Sequence, residues 1–164
     1  MGYDLIPSVD DLRLAKQEFM LSPQQWRTLD IPSLDWEFVR FSKENKETIP
    51  QKKGIYCFII RHDHAALPMH GYIAYVGLTG KSEQRNLRVR YSEYLRDQVR
   101  PKRIHIHQML NRWSDDLYFY FSVVENNDIG LTTIETALLD ALIPPFNEKD
   151  FSAELGQNIK AAWK

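Results

Sequence analysis

Two short apolar runs constrain this chain more than anything else in it. Residues 55–60 read Ile-Tyr-Cys-Phe-Ile-Ile, preceded by Gly54. Residues 72–77 read Tyr-Ile-Ala-Tyr-Val-Gly. Runs this short, rich in β-branched and aromatic residues and bounded by glycine, fit buried strands rather than helices. Between them lies a polar stretch, residues 61–71, that holds Pro68 and reads as a loop. Two strands so close in sequence most simply form an antiparallel hairpin.

The segments after the hairpin alternate in character. Ser82 can cap a helix reaching about Val99, with Leu87, Tyr91, Tyr94 and Leu95 at helical spacing. Pro101 breaks it, and a shorter helix is expected at 105–113. Residues 117–125 are aromatic and β-branched and predict a third strand. Residues 131–143 form a strongly amphipathic helix, stopped by Pro144-Pro145. A last helical stretch is expected from Ser152 onward. Before Gly54 the chain reads as an add-on. Ser8 caps a helix expected to run to about Leu21, with Leu12, Ala15, Phe19 and Met20 on one side. Ser22-Pro23 starts a second helix, and residues 36–41 are β-prone.

The expected fold is therefore α/β of the α+β kind: a small three-stranded antiparallel sheet flanked by helices. The organisation read from the sequence is a mainly helical extension over 1–49, a domain over 50–150, and a helical tail over 151–164. At 164 residues and 43% hydrophobic, the chain is long and apolar enough for one packed core. No apolar run approaches the ~20 residues of a membrane helix. No basic region followed by an apolar one opens the sequence. Cys57 is the single cysteine, which excludes an internal disulfide and a cysteine-rich zinc site. A cytoplasmic location is the expectation.

Net charge is −1, so the protein is not coated in cations. The distribution is uneven. Residues 78–107 carry eight cations (Lys81, Arg85, Arg88, Arg90, Arg96, Arg100, Lys102, Arg103) and three anions. Residues 1–50 carry six cations and nine anions. A local basic segment of this kind suits phosphate, though a solvated helix face has the same charge signature.

Gly54-Ile55-Tyr56 followed by Tyr75-Val76-Gly77 resembles the two halves of the GIY-YIG nuclease signature. The order of the segments after them resembles that family too. Arg90 lies in Leu-Arg-Val-Arg on the next helix, and Tyr94 stands at the position of the family's His or Tyr. Glu135 lies in Thr-Ile-Glu-Thr-Ala-Leu-Leu, and Asn147 ends Pro-Pro-Phe-Asn. The resemblance covers roughly residues 50–150. Leu78 stands where many members carry lysine, and Lys81 is the nearby cation that could substitute. The resemblance implies an endonuclease that hydrolyses DNA phosphodiesters with one divalent cation, Mg²⁺ or Mn²⁺, held by Glu135. It also implies that Tyr56, Tyr75, Arg90, Tyr94 and Asn147 surround the scissile phosphate. Lys81, Arg85, Arg88, Arg100, Lys102 and Arg103 are the candidate DNA contacts.

The chemistry of these residue types agrees with that reading. A carboxylate places a hard cation, and an arginine fork spans two phosphate oxygens. A tyrosine can orient the attacking water. Acting as its base is harder, because a phenolate at pH 7 costs roughly 4 kcal/mol. Each residue also has a purely structural reading. The tyrosines can be sheet packing, and Arg90 can snorkel along its own helix. Thr132-Thr133-Ile134-Glu135 has the form of a capping box. Against the cap, the helical neighbours of Glu135 are Leu131, Leu138, Leu139 and Leu142, so it sits on an apolar face. The pairs His62/His64 and His105/His107 lack a third ligand at metal-site spacing. Three functions stay open: a nuclease, a nucleic-acid-binding module without catalysis, and an interaction domain. In the last, residues 1–50 recruit a protein partner or a second copy. DNA is the expected target, with RNA also open and no membrane role.

Overall fold

A computed structural model describes residues 8–80, 84–125 and 130–162. At its centre is a four-stranded antiparallel sheet. The strands are β1 (Glu37–Arg40), β2 (Gly54–Ile60), β3 (Tyr72–Leu78) and β4 (Leu117–Val123), in the order β1-β4-β2-β3. The expected hairpin is present: Tyr56 pairs with Gly77 and Phe58 with Tyr75. The expectation of three strands is corrected to four. β1 pairs with β4, Glu37 against Phe121 and Arg40 against Tyr118, so the aromatic stretch read as part of an add-on completes the sheet. The physical reason lies in the residues just after β1. Phe41 and Ile49 are enclosed in the core, which draws residues 37–49 into the same packed unit.

A register irregularity falls between Phe58 and Ile59 on β2, where the partner changes from Tyr75 to Ile73. Ala74 is the extra residue, and it packs in the same core cluster as Tyr75. A bulge of this kind bends a strand and re-aims its side chains. Here it leaves Tyr75 on the side of the sheet that carries Tyr56.

Helices cover both faces. α3 (Leu87–Val99) and α4 (Ile104–Arg112) accompany an aromatic layer built from Tyr56, Phe58, Phe119, Tyr91 and Tyr94. α5 (Leu131–Leu142) lies on the other face over an aliphatic layer of Ile55, Cys57, Val76, Ile134, Leu138 and Leu139. Asn86 caps α3, its side chain accepting from the Val89 N–H at 2.9 Å. The helix therefore starts at Leu87 rather than at the expected Ser82. Lys81 and Ser82 lie outside the described residues. α5 starts after Gly130, which places Thr132 inside the helix and removes the capping-box reading of Glu135.

The N-terminal helices are slighter than their pattern suggested. α1 spans Val9–Ala15, with Ser8 as its cap in a complete capping box, and buries no residue. Its apolar side chains have little to pack on: Leu12 is 58% exposed. A seven-residue helix without a docked face has no support for further turns, so it stops well before Leu21. α2 (Pro23–Arg27) begins at the expected Ser22-Pro23. α6 (Ala153–Ala162) is the expected terminal helix. No helix among the described residues is long and apolar enough to cross a membrane.

Candidate active site

Both glycines of the two tripeptides are required by close approach. A Cβ on Gly54 would fall 2.1 Å from the Ser122 carbonyl oxygen across the β2–β4 ladder. A Cβ on Gly77 would fall 2.4 Å from the Tyr56 hydroxyl. The empty side of Gly77 is thus the space the Tyr56 phenol occupies. Thr79 ties the two strand ends together, its hydroxyl accepting from the Gly54 N–H at 2.9 Å.

Where β3 runs out, residues 77–80 form one wall of a cleft of about 130 Å³. Tyr56, Tyr75, Arg85, Arg90, Glu135 and Asp150 complete the lining. Four of the six residues expected at the site therefore meet there, from β2, β3, α3 and α5. The volume is small. At about 30 Å³ per water it corresponds to roughly four waters, well below the 300 Å³ or more of a typical small-molecule pocket. A phosphoryl group fits it better than a whole nucleotide.

Arg90 is the organising side chain. Its Nε donates to the Tyr56 hydroxyl at 2.9 Å, and its Nη1 donates to Glu93 at 2.5 Å. Its guanidinium lies 4.9 Å from the centre of the Tyr94 ring. Burial opposes the charge on Arg90, but the neighbouring phenols of Tyr56 and Tyr94 and the Glu93 carboxylate outweigh it and hold the guanidinium above its ordinary range. The Tyr56 and Tyr94 hydroxyls lie 3.0 Å apart. When Tyr94 donates, Tyr56 accepts twice, and its own O–H remains to donate into the cleft.

Burial pushes all three clustered phenols up. In Tyr56 the nearby Tyr75 adds to burial and Arg90 opposes it. In Tyr75 the added effect comes from Tyr94, and in Tyr94 from Tyr56. The phenols are accordingly held neutral, as hydrogen-bond donors rather than proton acceptors.

Glu135 is 6% exposed, on the α5 face that also carries Ile134, Leu138 and Leu139. The cleft it lines also holds the Tyr56 and Tyr75 phenols, Asp150 and the cationic Arg85 and Arg90. The Glu135 carboxylate is a hard oxygen donor of the kind that suits a cation keeping most of its water, such as Mg²⁺ or Mn²⁺. It does not resemble the nitrogen and sulfur ligands that zinc favours. Among the described residues, no group of three or more His, Cys, Asp or Glu converges on one point. The histidines are engaged elsewhere: His62 Nδ1 lies 2.5 Å from Asp116, and His107 Nδ1 lies 2.9 Å from the Asp97 carbonyl oxygen.

The remaining expected residues have other places. Tyr94 is fully buried behind the cleft, one hydrogen bond from Tyr56. Asn147 braces the outer edge of the sheet. Its Oδ1 accepts from the Val76 N–H at 2.9 Å and its Nδ2 donates to the Val76 carbonyl at 2.8 Å. It completes the pairing of an edge strand and acts on the site through β3. Arg88 donates to the Ile49 and Glu47 carbonyl oxygens at 2.7 and 2.8 Å, anchoring the 3₁₀ turn at Glu44–Thr48. Arg85 lines the cleft, while Arg100, Lys102 and Arg103 gather in an adjoining pocket.

Two cleft neighbours escaped sequence reading. Glu93 bridges Arg90 and Arg85, at 2.5 and 3.5 Å, and the i,i+3 spacing from Arg90 was the available signal. Asp150 is exposed at the cleft in a left-handed turn, φ 70°, and nothing in its local pattern marks it. Comparison with known proteins gave no match to a family model, to a curated protein or to a solved structure.

Proposed function

We propose that this chain is a metal-dependent endonuclease of the GIY-YIG type, hydrolysing phosphodiester bonds in DNA. The observation that carries the reading is the meeting of Tyr56, Tyr75, Arg90 and Glu135, from four separate elements, in one cleft sized for a phosphoryl group. Hydrolysis of a phosphodiester needs charge stabilisation on the phosphoryl oxygens and an aligned water. In this reading the Arg90 guanidinium binds the phosphate. The Tyr56 O–H donates to a phosphoryl oxygen as negative charge develops there, and its raised pKa suits a donor. Tyr75 orients the attacking water. Tyr94 and Glu93 fix the orientation of Tyr56 and Arg90, and Asn147 holds β3 in register. Glu135 is the residue that would hold one Mg²⁺ or Mn²⁺. Such a cation, when bound, polarises the phosphate and lowers the pKa of a bound water.

The test is a cleavage assay on single-stranded, duplex and branched DNA, with RNA alongside, in Mg²⁺, Mn²⁺ and EDTA. The expected outcome is a product that needs the cation. Binding that weakens with salt, with no product under any condition, would replace the nuclease by a binding module. The interaction reading draws on α1, where Val9, Leu12 and Leu14 are exposed. It predicts a stable complex, with a second copy or another protein, that is lost when those three side chains are replaced by serine.

A further inference from the structure

Beside the cleft, and sharing Arg85 and Arg90 with it, lies a second and larger pocket of about 350 Å³. Its remaining cations are Arg96, Arg100, Lys102 and Arg103, and its two anions are Glu93 and Asp97. The anions are already engaged. Glu93 pairs with Arg90 and Arg85, and Asp97 pairs with Arg103 at 2.6 Å. Among the described residues, Arg96, Arg100 and Lys102 have no ion-pair partner.

Helix electrostatics explain only part of this gathering. Arg96 and Arg100 sit at the C-terminal end of α3, where positive charge is favoured. Lys102 and Arg103 sit at the start of α4, where it is disfavoured. Arg103 is also held in place rather than loose. Asp97 fixes one end of its guanidinium, and the group lies 5.2 Å from the centre of the same Tyr94 ring that supports Arg90. A preset, half-buried arginine surrounded by like charges in a concave site is the arrangement that recognises a phosphate.

We propose that this pocket is a second phosphate-binding site, distinct from the cleft, that takes a phosphate group of the strand next to the scissile one. The ligand class rests on the nuclease reading; the pocket's affinity for phosphate does not. Two sources present the same chemistry, an internal phosphodiester and a terminal phosphomonoester. At 350 Å³ the pocket has room for a phosphate with its sugar, which the cleft has not. A strand seated in both would have its position along the cleft set by the pocket.

The experiment uses the full chain in EDTA, so that no cleavage intervenes. Inorganic phosphate is titrated while the arginine Nε–Hε resonances are followed, and the expected result is a saturable shift at Arg103 and Arg96. Binding of a short oligothymidylate, with and without a 5′-phosphate, is then measured against salt. Arg100→Ala combined with Lys102→Ala, both exposed positions, should weaken binding about tenfold and reduce the salt slope by about one to two. A loss confined to the 5′-phosphorylated strand assigns the site to a terminal phosphate, and an equal loss for both assigns it to an internal one. Lys16→Ala with Arg27→Ala removes two exposed cations elsewhere. If that pair weakens binding as much, or if phosphate moves no Arg103 or Arg96 resonance, the site is overturned. Absence of cleavage product in Mg²⁺ and Mn²⁺ alongside a normal phosphate titration would remove the nuclease reading and leave the pocket standing.

Discussion

The two faces of the sheet are built differently. The face under α3 and α4 is aromatic and polar-tipped: Tyr56, Tyr91 and Tyr94 are buried there, and each places its hydroxyl on a hydrogen-bond partner. The face under α5 is aliphatic, built from Ile55, Val76, Ile134, Leu138 and Leu139. A buried hydroxyl must be satisfied and therefore has a defined orientation; a buried leucine needs only a complementary shape. The aromatic face can accordingly hold a guanidinium and three phenols in one geometry, while the aliphatic face anchors the helix that delivers Glu135. The lesson is a division of labour, with positional accuracy on one side of the sheet and cohesion on the other.

Four substitutions or conditions would break or sharpen that division. Among the substitutions, the largest stability effect belongs to the aliphatic face. Leu139 is fully buried, and Leu139→Ala should cost about 3 kcal/mol in urea unfolding. The folded fraction should still cut DNA at a rate near wild type. On the aromatic face the balance reverses. Arg90→Lys removes the Nε donor to Tyr56 and the fork to the phosphate, and single-turnover cleavage should slow about 10²-fold. Its melting temperature should move far less than that of Leu139→Ala. Asn147→Ala leaves the Val76 N–H and C=O without their partners at the sheet edge. It should cost about 1–3 kcal/mol and slow cleavage only moderately.

A further effect is expected in alkali. Burial pushes the Cys57 thiol up to about 12 from 9.0. Burial likewise pushes the Tyr91 phenol up to about 12 from 10.0, with its bond to Ser42 opposing. A group whose folded pKa lies above its unfolded value keeps its proton more tightly in the fold. Its contribution to stability is complete below the unfolded pKa and declines as pH rises toward the folded one. Stability should hold to about pH 9 and then fall through about pH 12, read as a declining urea midpoint. A midpoint that stayed level over that range would mean these groups are not buried.

Much of this arrangement is legible in the sequence because it rests on local pattern. The two glycine-bounded apolar runs announced β2 and β3, and their order relative to Arg90 and Glu135 carried the resemblance. Pro101 and Pro144-Pro145 marked real helix ends. The rest was hidden because it depends on pairing across the chain. Residues 36–41 read as a strand, but nothing local said that it pairs with a strand some eighty residues later. The extent of α1 was misjudged because apolar periodicity does not reveal whether a surface exists to cover it. Arg88 and Arg90 look alike in Leu-Arg-Val-Arg. They point different ways because residues two apart on a helix do not share a face. One anchors the turn at Glu44–Thr48 and the other enters the cleft.

The most direct test of the central claim sets chemistry against folding in two variants. Glu135→Gln keeps the size of the side chain and removes its charge. Tyr56→Phe keeps the ring and removes the hydroxyl that receives Arg90. Single-turnover DNA cleavage in Mn²⁺ is measured beside thermal unfolding for both variants and wild type. Glu135→Gln should lose roughly 10³-fold in rate, equivalent to the several kcal/mol a bound cation contributes. Tyr56→Phe should lose about 10²-fold, and both should still melt as a single cooperative transition. Product formed at an undiminished rate by Glu135→Gln would contradict the assignment of this cleft as the centre of the chemistry.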